Sequence, residues 1–72
     1  MNLSNSIEDI PLKTIQMLTG KTLKRLGISL EMALGIVCAL SSDKVLLAQF
    51  LIWTHDNNPS EEEIMHWIVE HT

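Results

Sequence analysis

The stretch Ser42-Asp43-Lys44-Val45-Leu46-Leu47-Ala48-Gln49-Phe50-Leu51-Ile52-Trp53 decides the fold. Ser42 or Ser41 stands where a side-chain oxygen can accept from the first free amides of a helix. Asp43 falls in the first turn, beside the positive end of the dipole. At 100° per residue, Leu46, Leu47, Ala48, Phe50, Leu51 and Trp53 spread almost around the cylinder. Only a narrow line through Val45, Gln49, Ile52 and Asp56 offers polar atoms. A helix that is apolar on nearly every side is either buried or spans a membrane. The nine residues from Val45 to Trp53, Gln49 among them, are too few to cross hydrocarbon. Segment 43–55 is therefore expected as the central apolar helix of a small bundle.

Upstream of it, Ser29 reads as the N-cap of a helix with Glu31 in its first turn, running to about Leu40. Leu30, Met32, Ala33, Leu34, Ile36, Val37 and Leu40 form a wide apolar arc, and Glu31, Gly35, Cys38 and Ala39 lie opposite. Glycine inside a helix costs about 1 kcal/mol relative to alanine. Gly35 and Ala39, four apart, would either let another helix approach closely or simply face water. Before that helix, Thr22 to Leu26 reads as a short helix with Leu23 and Leu26 inward and Gly27 as its left-handed exit. Pro11 suits a first helical turn, and Leu12, Ile15, Met17 and Leu18 give a stripe that Gly20 is expected to stop.

Downstream, Pro59-Ser60-Glu61-Glu62-Glu63-Ile64 carries a capping box, with Ser60 as N-cap and Glu63 as its reciprocal partner. The helix that follows is expected to bury Ile64, Met65, Trp67 and Ile68 and to show Glu62, His66 and Glu70. His71 falls on its apolar side, placed to cap the terminus or pack on Trp67. Residues 1–8 are polar and read as a flexible N-terminus. Residues 9–72 then make one all-α domain, a compact bundle of about five short helices joined by short connections.

Composition narrows the function. An apolar share of 46% in 72 residues rules out a disordered chain. Cys38 is the lone cysteine, so no internal disulfide and no thiolate metal framework can form, which suits a reducing compartment. The net charge of −4 opposes generic binding to phosphate backbones or anionic lipid. Charge is nevertheless uneven. Lys13, Lys21, Lys24 and Arg25 fall within thirteen residues, and Asp56, Glu61, Glu62, Glu63 and Glu70 within the last seventeen. These read as two solvated faces that attract each other weakly. No signal peptide is visible, and Ser41-Ser42-Asp43-Lys44 divides the one long apolar stretch, so no membrane span and a cytoplasmic location are expected.

Residues that could carry chemistry are sparse. Cys38 has no glycine-rich turn or obvious base nearby in sequence and reads as a small apolar side chain. Glu62, His66 and Glu70 share one helix face, but zinc needs three or four protein ligands, and neither His55 nor His71 is spaced to complete a set. No metal, cofactor or catalytic site is expected, and the chain does not read as an enzyme.

Leu18-Thr19, followed by Leu23, Leu26, Gly27, Ile28 and Ser29, resembles the short helix and turn of sterile-alpha-motif (SAM) domains. That resemblance implies an all-helical fold and binding to proteins. Leu23-x-x-Leu26-Gly27-Ile28-Ser29 is also similar to the turn of helix-turn-helix DNA readers. Both cover residues 18–29 alone. The chain departs from the SAM pattern by continuing into a hydrophobic helix and a capped acidic one, with only about seventeen residues upstream. As a DNA reader, its helix after Ser29 would bring no Arg, Lys, Asn or Gln to base edges, and Glu31 would repel phosphate. Nucleic-acid binding, through Lys13, Lys21, Lys24 and Arg25, is thus the secondary expectation. The leading one is a small protein–protein interaction or regulatory module, paired with a protein partner or as a homodimer. The two most apolar helices carry more large side chains than their short neighbours can cover. Gly35, Ala39, Val45, Gln49 and Ile52 form the candidate seam.

Overall fold

The computed structural model describes residues 9–72, so the expectation for residues 1–8 lies outside the described part. Four α-helices follow one another there: α1 Leu12–Arg25, α2 Leu30–Leu40, α3 Lys44–Asn57 and α4 Glu61–His71. There is no strand among the described residues. A radius of gyration of 11.6 Å matches the value of about 11 Å for a compact chain of this length.

Among the described residues four helices stand where five were expected, because Gly20 does not end a helix. Its φ is not left-handed, and α1 runs through it without a break. Packing on either side decides the matter. Thr19 and Leu23 are fully buried and Thr22 nearly so, and the two hydroxyls donate to the Ile15 and Leu18 carbonyls at 2.7 and 2.9 Å. Burying one Leu side chain is worth about 1.5–3 kcal/mol, more than the ~1 kcal/mol an interior glycine costs. The buried face of α1 is then Ile15, Thr19, Thr22 and Leu23, and Met17 and Leu18 turn out to solvent. The helix stops one glycine later. Gly27, at φ +86, takes the left-handed position, and the Ile28 amide donates back to the Leu23 carbonyl at 3.0 Å.

The caps are local, and most sit where the sequence put them. Ser29 Oγ accepts from the Met32 amide. Ser60 Oγ and Glu63 Oε1 complete the reciprocal capping box at 3.2 and 3.1 Å. For α3 the cap is Asp43 rather than Ser42 or Ser41, with Oδ1 accepting from Val45 and Leu46 at 3.1 and 3.2 Å. Ser41 is occupied as the C-cap of α2, its hydroxyl donating to the Val37 carbonyl and accepting from Gln16 Nε2. At its far end α3 continues past the expected end at residue 55. It runs to Asn57, and Asn58 closes it in the left-handed conformation.

The core is shared between α1 and α3, which pack most extensively on each other. Ile15 and Leu23 of α1, Ile28, Ala33, Ile36 and Leu40 of the turn and α2, Leu47, Ala48 and Phe50 of α3 and Ile64 of α4 form one buried cluster. The line Val45, Gln49, Ile52 on α3 faces solvent. Helix α4 approaches the others less closely and is held by side chains. Trp67 lies 5.1 Å from Phe50 and stacks on Trp53 at 5.6 Å, and the His71 ring stacks on Trp67 at 3.8 Å. Met65, expected inside, is exposed, because Ile64 and Ile68 take the inward positions. Among the described residues, no helix is long and apolar enough to cross a membrane.

A basic-rimmed apolar groove between the first two helices

The α1–Gly27–α2 turn sets the first two helices side by side without covering the outer flank of their junction. An open groove of about 740 Å³ runs along it. Its floor is apolar: Ile28, Leu30, Ala33, Leu34 and Val37 from the turn and α2, with Met17 and the bare backbone of Gly20 from α1. Leu30 is 75% exposed, Leu34 57% and Met17 53%. These side chains belong to the apolar sector of their helices, yet on α2 it is Ala33, Ile36 and Leu40 that are buried in the core, with Met32 and Val37 packed against it. The width of the α2 arc was legible in the sequence. Which half of it would be covered depends on where α1 and α3 lie.

Lys13, Lys21 and Lys24 stand on the α1 side of this groove, with Gln16 between them and Cys38 across on α2. The spacing 13, 21, 24 puts the three lysines on one helical face. None of the three has a carboxylate partner among the described residues. Arg25 is not part of this row. Its guanidinium donates to Asn58 Oδ1 at 3.0 Å, tying the end of α1 to the cap of α3. The structure thus gathers three of the four expected cations and sends the fourth elsewhere.

The five seam candidates lie on two helices. Gly35 and Ala39 are exposed on α2, and a Cβ added at Gly35 would meet nothing within 4 Å. Val45, Gln49 and Ile52 are exposed on α3. Ile52 lines a shallow hollow of about 270 Å³ with Leu18, Thr22 and Leu51, which neither Gly35 nor Ala39 borders.

A second cleft, about 430 Å³, lies between Trp53 and Trp67 and the carboxylates of Glu62, Glu63 and Glu70. Its groups are largely spoken for. Glu63 serves the capping box, Glu70 pairs with His66 at 2.8 Å, and Trp67 has Trp53 and His71 stacked against it. Among the described residues no three His, Cys, Asp or Glu side chains come together to hold a metal ion. Every buried side-chain polar atom there has a hydrogen-bond partner.

No family model matches the chain, and neither does any curated protein or solved structure.

Proposed function

We propose that this chain is a non-enzymatic protein–protein interaction module of the cell interior. Its α1–α2 groove takes an amphipathic helix whose apolar stripe is flanked by carboxylates. The observation that carries this reading is the coincidence of an uncovered apolar floor with a row of unpaired lysines. Exposed Leu30, Leu34 and Met17 leave apolar surface of the kind that marks interfaces, and a groove between two helices is a common seat for a third. The lysines select the sign of the partner's flanks and speed its approach rather than supply most of the affinity. The SAM-like turn at residues 18–29 lies at this groove and agrees with a protein-binding role. A phosphate-binding reading draws on the same three lysines. It is the weaker one, since the floor is apolar, Arg25 is engaged with Asn58, and the chain carries net charge −4.

The test is methionine-methyl NMR, because Met17 lies in the groove while Met32 packs against the core. A synthetic helix with leucines on one face and glutamates beside them is titrated into the protein, and a DNA duplex is titrated separately. The expected result is a saturable shift of the Met17 resonance with the peptide, weakened at high salt. Leu34→Glu should cost tenfold or more in affinity, about 1.4 kcal/mol or more, and move stability by no more than about 0.5 kcal/mol because Leu34 is exposed. A Met17 shift with DNA and none with the peptide would overturn the proposal in favour of nucleic acid.

A further inference from the structure

Two groups of opposite charge stand apart in this structure without pairing to each other. Lys13, Lys21 and Lys24 rim the groove without a carboxylate partner, and Glu61 and Glu62 at the start of α4 have no cationic partner among the described residues. Helix α4 also has apolar side chains it does not use internally. Ile64, Trp67 and Ile68 hold it to the core, whereas Met65 is 43% exposed and Val69 73%. Glu61, Met65 and Val69 follow one another at intervals of four, and Glu62 lies beside them, so they form one stripe on the outer face. That stripe has an apolar centre and an acidic margin. The groove has an apolar centre and a basic margin.

Resting on the groove reading above, we propose that the groove's occupant is α4 of a second copy of this chain. Met65 and Val69 would lie over Leu30, Leu34 and Met17, with Glu61 and Glu62 facing the lysine row. The groove and the stripe are different patches of one surface. Two copies that each seat α4 in the other's groove therefore close as a two-fold, isologous dimer, whereas a one-way contact is heterologous and propagates head to tail. The charges fix which surface meets which, because groove against groove or stripe against stripe brings like charges together.

A charge swap tests this directly. One variant carries Lys21→Glu and Lys24→Glu, giving an acidic groove beside the native acidic stripe. The other carries Glu61→Lys and Glu62→Lys, giving a basic stripe beside the native basic groove. All four positions are exposed, and circular dichroism is the check that both variants fold. Sedimentation is run over a wide concentration range. The wild-type protein is expected to rise from 8.1 kDa to about twice that mass or more, and less steeply at high salt. Each variant alone should stay monomeric, while their equimolar mixture should associate again. Met17 and Met65 resonances should shift together with wild-type concentration, and Met32 should not. A wild-type chain that stays monomeric overturns the proposal, as do variants that associate alone or a mixture that stays monomeric. If self-association fails while the synthetic acidic helix still shifts Met17, the groove reading stands with another partner; if neither occurs, both fall.

Discussion

Replacing Gly20 by alanine should stabilise this protein, and replacing Gly27 should do the reverse. Both glycines sit near the end of what the sequence reads as separate short helices, yet their backbones differ. Gly20 is interior to α1 without a left-handed φ, and an added Cβ would meet nothing within 4 Å. Alanine there recovers about 0.5–1 kcal/mol of helix propensity. Gly27 has the same open space but φ +86, which costs an L-residue about 1–2 kcal/mol. A domain of this size shifts its midpoint by about 4–8 °C per kcal/mol. Gly20→Ala should therefore raise Tm by about 2–8 °C, and Gly27→Ala should lower it by about 4–16 °C. Thermal melts followed by circular dichroism at low protein concentration measure both. If the two variants fall together, α1 is broken at Gly20 and the continuous helix is wrong.

Asp43→Ala should cost about 1 kcal/mol in urea unfolding through loss of the α3 cap, while Ser42→Ala should stay within about 0.5 kcal/mol. Phe50→Ala removes a fully buried ring and should cost about 3–5 kcal/mol. Total stability for a chain of this length is only about 4–11 kcal/mol, so its urea midpoint should fall by about a quarter or more. Ser60→Ala should cost about 1 kcal/mol and speed amide exchange in the first turn of α4, with exchange at Leu23 and Leu47 changing less.

What the sequence could tell was set by the range of the interaction involved. The Ser60–Glu63 box, the Ser29 cap and the Gly27 exit are made by residues within three or four positions of each other. They were legible because nothing distant competes for them. Gly20 and Ser41 carried equally plain local signals that distant groups overrode. Thr19, Thr22 and Leu23 are drawn into the α1–α3 core, and Gln16, twenty-five residues away, engages Ser41. The groove was least legible. Its floor joins Met17 and Gly20 of α1 to Leu30 and Leu34 of α2, and no window short enough to show periodicity contains both. The helical spacing of Lys13, Lys21 and Lys24 with Met17 was the one available hint, an apolar residue among cations on one face.

The aromatic column from Phe50 through Trp53 and Trp67 to His71 spans the joint between α3 and α4. The chain's two tryptophans are both in that joint, and it has no tyrosine. Intrinsic fluorescence therefore reports on the seating of one helix and hardly at all on the α1–α2–α3 core. An unfolding curve from emission and one from helicity need coincide only if α4 leaves when the core melts. If α4 lifts first, emission shifts while most of the helical signal remains, so the protein carries its own probe of whether it comes apart in one step or two.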